Sequence, residues 1–306
     1  MARQQPRVLV GRTAAITGGA RGIGKETARA LLREGMKVAI GDLDLALAEA
    51  TADELRTAVP GRGGVPVEVR AYALDVVDRD SVRAFVDAVE ADLGPIDVFD
   101  SNAGIMALTT FLDESDDSIR RQIDVNVMGV VNGAKEILPR FVARGRGHLV
   151  NVASMAGKAG FAGAATYCGT KHFVVGLSEA IRGELAHAGA PVDVTCVMPA
   201  IVQTELAAGT KDTRGVKKVT PEEVAAAIVE ALKAPRFDVF VPRSAGVANT
   251  VIGVLPRRGR EGVAKALGAD RALIEADPAA RAAYELRAAA SDPRLDAPAP
   301  PKSLAP

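Results

Sequence analysis

Two side chains in the stretch Ala165-Thr166-Tyr167-Cys168-Gly169-Thr170-Lys171 are of the right type for proton transfer, and they stand four residues apart. On a helix such positions are neighbours, so the Tyr167 phenol and the Lys171 ammonium share one face. An ammonium beside a phenol stabilises the phenolate and draws its pKa down from about 10. General acid–base catalysis near neutral pH needs that tuning. Alone the pair has little weight, because Y-x-x-x-K recurs by chance. Thirteen residues before Tyr167, however, Ser154 closes the run Leu149-Val150-Asn151-Val152-Ala153-Ser154, which reads as a strand. A serine at the carboxyl end of a strand stands at the edge where open α/β sheets bind ligands. Its hydroxyl can hold a substrate oxygen while the phenol exchanges the proton.

A second constellation, Thr17-Gly18-Gly19-Ala20-Arg21-Gly22-Ile23-Gly24, lies between the first strand and the first helix. Gly18, Gly22 and Gly24 permit a tight turn and a close backbone approach, and the N–H groups of the helix start, around Ile23, can then hold a pyrophosphate. No G-K-[ST] follows, so this is not a P-loop. The second strand ends at Gly41-Asp42, about twenty residues beyond the turn. A carboxylate there accepts hydrogen bonds from ribose hydroxyls and repels a 2′-phosphate, so Asp42 favours NAD over NADP. Arg21, beside the second glycine, either meets the 2′-phosphate of NADP or pairs with Asp42, which is compatible with NAD.

Short β-branched runs alternate with helical patterns from Arg12 to about Val241. Strands are expected at Ala14–Thr17, Val38–Asp42, Val67–Leu74, Ile96–Ser101, His148–Ser154, Val192–Met198 and Val239–Val241. Helices are expected near Gly22–Glu34, Leu43–Ala58, Ser81–Asp92, Ile119–Ala143, Ala164–Ala186 and Pro221–Lys233. Strands apolar along their whole length fit a parallel sheet covered on both faces. The alternation predicts an α/β fold, a doubly wound Rossmann-type sheet of about seven strands. Thr220-Pro221-Glu222-Glu223 supplies an N-cap, a first-position proline and acids at the positive end of a helix.

We assign 1–245 to a nucleotide-binding catalytic domain, 246–291 to a C-terminal helical extension and 292–306 to a disordered Ala/Pro-rich tail. In the extension, Gly262–Leu267 and Ala279–Ala290 read as amphipathic helices. It either packs on the domain or a neighbouring subunit, or touches a membrane surface through its apolar residues and Arg257-Arg258-Gly259-Arg260.

Acids and bases balance at 38 each, and no basic run carries interleaved aromatics, so nucleic acid is not an expected partner. Cys168 and Cys196 form neither a disulfide framework nor a metal cluster, and His148, His172 and His187 are scattered without acids at ligand spacing, so no metal is expected. Cys168 is read as a packing residue. The N-terminus lacks the apolar core of a signal peptide, and no apolar run approaches the roughly 18 residues of a membrane span. A soluble, cytoplasmic protein is expected.

Thr17–Gly24, Asp75-Val76, Asn102-Ala103-Gly104, Asn126, Ser154, Tyr167, Lys171 and Pro199–Thr204 occur together and in order. In this set the chain resembles the short-chain dehydrogenase/reductase family, in its compact branch, from about Arg12 to Val241. The resemblance implies that Tyr167 is the acid/base and that Lys171 lowers its pKa and binds the nicotinamide ribose. Ser154 would polarise the substrate carbonyl or alcohol, and Asn126 would hold a water that continues the proton relay. Asp75 and Val76 would meet the adenine, and Asn102, Ala103 and Gly104 would line the adenosine side. Pro199, Val202 and Thr204 would fix the carboxamide. Ser101 replaces the family's first asparagine, and Ala200 the glycine of its Pro-Gly.

The resulting expectation is an NAD(P)-dependent alcohol dehydrogenase or ketone reductase acting on a small molecule. The alternatives are an NADPH-dependent carbonyl reductase, a non-redox lyase and a nucleotide-binding scaffold on the same fold. Met106, Met155 and Phe161 follow motif residues and are candidates to line the substrate pocket, with ordinary core packing as the other reading. Glu205–Lys218, with Leu206 in its apolar front half, reads as a lid and hints at a hydrophobic substrate. The family resemblance further suggests a homodimer or homotetramer formed through the helices at Ile119–Ala143 and Ala164–Ala186.

Overall fold

The computed structural model describes residues 5–61, 66–211, 218–269 and 271–289. The proposed tail and residues 212–217 of the proposed lid lie outside them.

Seven parallel strands form one sheet in the order β3-β2-β1-β4-β5-β6-β7. They are β1 (Thr13–Thr17), β2 (Lys37–Asp42), β3 (Val69–Ala73), β4 (Ile96–Ser101), β5 (Gly147–Val152), β6 (Val192–Pro199) and β7 (Asp238–Val241). The order reverses between β1 and β4, and a doubly wound sheet opens its ligand crevice beyond the carboxyl ends of such a pair. Alternate side chains of these strands enter two cores. One packs Ile16, Val38 and Val150 against Leu31 of α1 (Gly22–Arg33), Leu55 of α2 (Leu45–Ala58) and Ile228 of α7 (Pro221–Lys233). The other packs Phe99 and Leu149 against Val89 of α3 (Arg79–Leu93), Ile137 of α5 (Gly129–Arg144) and Leu185 of α6 (Ala165–His187). The expected two-faced burial is thus present. α7 opens on the expected cap, with Thr220 and Glu223 bonded reciprocally and Pro221 at the first position.

The helix expected at Ile119–Ala143 runs continuously from Asp116 to Arg144, with a π turn inside it. α4 covers Asp116–Ile123, a π turn takes Asp124–Met128, and α5 follows from Gly129. The extra residue per turn is invisible to a 3.6-residue pattern, and it lies where Asn126 faces the site. At the C-terminal end the helices start earlier than their apolar periodicity suggests. α8 spans Arg243–Gly253, α9 spans Arg257–Leu267 with the basic run in its first turn, and α10 spans Pro278–Ala289. α8 packs on the domain, where an added Cβ at Gly246 would lie 2.5 Å from the Phe240 ring. No helix among the described residues is long and apolar enough to cross a membrane.

One residue of β4 is out of character. Asp100, in register with Ile16 and Val150, is fully buried, and neither carboxylate oxygen has a hydrogen-bond partner among the described residues. Burial pushes its carboxyl up to about 8.

Candidate active site

The glycine-rich turn connects β1 to α1 under tight steric control. Gly18 has φ +63°, and a Cβ there would press on the Ala103 Cα at 2.8 Å. A Cβ on Gly24 would come within 2.4 Å of the Gly18 carbonyl and 2.6 Å of Asn102 Nδ2. Asn102 fastens the turn from β4: its amide donates to the carbonyls of Thr17 (2.9 Å) and Gly18 (3.0 Å). α1 has no side-chain cap and no acid in its first turn. Its orphan N–H groups, around Gly22 and Ile23, and its positive dipole end therefore face the crevice, which fits a pyrophosphate.

Asp42 ends β2 beside this cradle and accepts from the backbone N–H of Ala20 (3.1 Å) and of Asp44 (3.1 Å). Arg21 does not pair with it. The guanidinium reaches Asp44 (3.4 Å) and Glu205 (3.6 Å) instead, because the backbone amides already occupy Asp42. Beyond β3, the Asp75 carboxylate accepts from Val77 N–H (2.9 Å), and Asn132 holds the Val76 carbonyl at 2.9 Å. On the far side of the crevice, Pro199 ends β6, and Val202 bridges to Val219. Thr204 there comes so close to the cradle that a Cβ on Gly22 would meet its methyl at 3.4 Å.

Ser154 follows β5 and Tyr167 lies in the first turn of α6, as the spacing requires. The two side chains face each other across the crevice: the Ser154 hydroxyl accepts from Ala156 N–H at 3.1 Å and acts on the Tyr167 phenol. Burial pushes the Tyr167 phenol above its ordinary pKa, and only the neighbouring Ser154 hydroxyl works the other way. The expected depression by Lys171 is not seen. Lys171 Nζ donates to the Val152 carbonyl at 2.9 Å and lies 5.7 Å from the Tyr167 ring centroid, so its charge is spent on the strand end. Burial in turn lowers Lys171 to about 8. The lysine still borders the cofactor crevice, since a Cβ on Gly104 would lie 3.5 Å from Nζ.

Asn126, fully buried on the π turn, bonds protein partners through both ends of its amide. Oδ1 accepts from Ile105 N–H (2.8 Å), while Nδ2 donates to the Ile105 carbonyl (2.8 Å) and to Thr170 Oγ1 (3.1 Å). Both donors of that amide are engaged, and Oδ1 keeps one lone pair.

Above the reaction centre, Met106, Phe161 and Leu206 pack with Tyr167, Cys168 and Leu273 into one apolar cluster. The fourth pocket candidate, Met155, packs elsewhere, against Val174, Val175 and Met198. Three contributors escaped the spacing analysis: Leu273, Arg281 and Tyr284, all from the C-terminal extension. Tyr284 Oη accepts from Met106 N–H at 2.7 Å, and the Arg281 guanidinium donates to the Met106 carbonyl at 2.8 Å. The one signal for them was composition, since Tyr284 is among only three tyrosines in the chain.

Residues 12–215 match the family described as short chain dehydrogenase. The chain is 36% identical over 250 residues to the "Probable oxidoreductase EphD" of Mycobacterium tuberculosis, a match covering 75% of this chain and 41% of that protein. It therefore spans about two fifths of the length of that relative. An uncharacterized oxidoreductase of Staphylococcus haemolyticus is 34% identical over 227 residues, 74% of this chain and 93% of that one. A short-chain dehydrogenase/reductase from Burkholderia phymatum, solved in complex with NAD, superposes with a TM-score of 0.72 at 27% identity, covering 81% of this chain and 94% of that one. With the sheet order and a match running from β1 through α6 and β6 in agreement, this chain belongs to the short-chain dehydrogenase/reductase family of oxidoreductases.

Proposed function

We propose that the protein transfers hydride between a nicotinamide cofactor and a secondary alcohol or ketone with an apolar body. The observation that carries this reading is the juxtaposition of Ser154, at the end of β5, with Tyr167, in the first turn of α6, beside an apolar cluster and at the same sheet edge as the uncapped start of α1. A nicotinamide bound there would supply the redox step, accepting or giving the hydride with its electron pair. The chain's own residues manage the oxygen and its proton. Ser154 Oγ holds the substrate oxygen, and Tyr167 Oη exchanges the proton with it. Because burial keeps the phenol protonated at neutral pH, Tyr167 stands ready as the acid for a ketone oxygen. In the oxidation direction it must first lose that proton, and the neighbouring Ser154 hydroxyl eases the loss. Lys171, brought down to about 8, is charged at neutral pH yet close to its own release point, which suits a proton relay. Asn126, which borders the same loop, would hold a water that continues the relay.

Asp42 supports NAD as the preferred cofactor, since a carboxylate beside the cradle repels a 2′-phosphate. NADP has one observation in its favour: Arg21 stands at the cradle on ion pairs of 3.4 and 3.6 Å that a phosphate could displace. The exposed Ile123, Met128, Val142 and Phe173, around the π turn, α5 and α6, support pairing with a second copy through that face.

The test is a panel of secondary alcohols and ketones followed by absorbance of reduced nicotinamide, run with NAD and with NADP. We expect turnover with preference for NAD, and a fall of about 10³-fold in kcat for Tyr167→Phe with cofactor binding retained. Full activity of Tyr167→Phe overturns the proton-transfer assignment, and preference for NADP overturns the role given to Asp42.

A further inference from the structure

The loop after β4 is held in an unusual way. Ile105 is bonded at both its N–H and its carbonyl by the Asn126 amide, and Met106 is bonded at both groups by two side chains of α10. Arg281, only 3% exposed, is the anchor of that helix. Besides the Met106 carbonyl it donates to those of Leu206 (2.9 Å) and Ala208 (3.2 Å), pairs with Glu285 at 2.7 Å and lies 5.0 Å from the Tyr284 ring centroid. The segment before α10 is tied down as well. Asp277 N–H donates to the Gly209 carbonyl at 2.9 Å, and a Cβ on Gly163 would meet the Ile274 backbone at 2.6 Å. Leu273 thereby joins Tyr167 and Met106 in the apolar cluster. The C-terminal extension is the roof of the pocket whose floor is Ser154 and Tyr167.

Tyr284 brings a polar atom into that roof. Its hydroxyl accepts from Met106 N–H, and among the described residues no acceptor takes its proton. A phenol has one O–H donor, and a buried donor without a partner is costly. The side chain is half-buried beside Arg281, and its hydroxyl sits on the main chain of Met106, whose side chain packs in one cluster with Tyr167. A free donor in the roof, beside the acid/base in the floor, calls for an oxygen between them.

We propose that Tyr284 is a specificity-determining residue that donates a hydrogen bond to a second oxygen of the substrate, so that the pocket selects alcohols or ketones bearing another oxygen acceptor over those with a hydrocarbon body alone. This rests on reading Ser154 and Tyr167 as the reaction centre. A site that offers a buried donor rejects a ligand lacking the matching acceptor, because the donor is then left unpaired.

The experiment compares cyclohexanol with the cyclohexanediols, whose second oxygen stands at three distances from the first. Two readouts are taken on the cofactor-loaded enzyme: kcat/KM, and the rise in melting temperature given by each alcohol. In the wild type at least one diol is preferred over cyclohexanol by both readouts. In Tyr284→Phe, kcat/KM for that diol falls about tenfold further than kcat/KM for cyclohexanol, and the extra thermal stabilisation by the diol disappears. Equal losses on both alcohols, or no diol preference in the wild type by either readout, overturn the proposal. Should Tyr284→Phe fold poorly, O-methyltyrosine at 284 keeps the acceptor for Met106 N–H and deletes only the donor, and the same outcomes decide. Diol-selective stabilisation that depends on Tyr284, without turnover of any alcohol, would uphold the roof contact and refute the hydride transfer. Turnover with no such dependence would do the reverse.

Discussion

Ile105 and Met106 are adjacent, and each is gripped at both main-chain groups, yet the two grips differ in kind. Asn126, itself fully buried, reaches Ile105 from the π turn between α4 and α5. Arg281 and Tyr284 reach Met106 from α10, which among the described residues buries only Arg281. The floor is held by the sheet and its two cores. The roof is held by side-chain bonds to loop carbonyls and a small apolar cluster. On the proposed function, catalysis and selection are separable: damage to the roof should change which molecule is used, and damage to the floor should stop the reaction.

The sharpest way to break this contrast is at the cradle. Gly24→Ala places a methyl 2.4 Å from the Gly18 carbonyl. We expect cofactor affinity to fall by at least about 100-fold, roughly 2.8 kcal/mol, measured by titration of nicotinamide fluorescence. Asn126→Ala leaves the Ile105 N–H and carbonyl without partners, at a cost of about 1–3 kcal/mol. Its melting temperature and kcat should fall together, and a normal kcat would mean that the floor does not need that grip. Arg281→Ala should behave in the opposite manner, with KM raised about tenfold, kcat nearly kept and a small loss in melting temperature. Arg281→Lys should resemble it, because a lysine cannot serve three carbonyls with a planar fork.

The smallest effect is on stability alone. Asp100 is protonated in the folded protein up to about 8, while the unfolded chain ionises it near the ordinary carboxylate value. Its contribution is fully present in acid and is lost as pH rises through about 8. Asp100→Val should therefore gain in melting temperature over the wild type, and the gain should widen by at least about 4 °C between roughly pH 5 and 8.5. A constant difference across that range would show that Asp100 does not titrate in this way.

Much of the floor was legible before any coordinates, because its residues sit at fixed offsets inside strand–helix units. Gly18 to Gly24, Ser154, Tyr167 and Lys171 are each placed by a strand end or a helix face, and the sheet brings those ends to one edge. What such spacing cannot carry is where a long side chain spends its hydrogen bonds. Lys171 stands on the expected face but donates to Val152, and Arg21 stands at the turn but answers Asp44 and Glu205. The π turn hides as well, since one extra residue leaves the apolar pattern on both sides intact. The roof was illegible for a different reason. Arg281 and Tyr284 meet Met106 across 175 and 178 residues, through a loop-to-helix contact that no local period encodes.

Arg281 grips carbonyls of residues 106, 206 and 208, and it touches none of their side chains through those bonds. A clasp that reads only main chain is indifferent to what the clasped residues carry. Met106 and Leu206 can accordingly be exchanged for other apolar residues, reshaping the cavity, while the bonds that close it stay in place. For enzyme engineering, the pocket wall is a set of replaceable panels on a fixed hinge-plate, and residues 271–289 form a cassette that can be swapped as one piece.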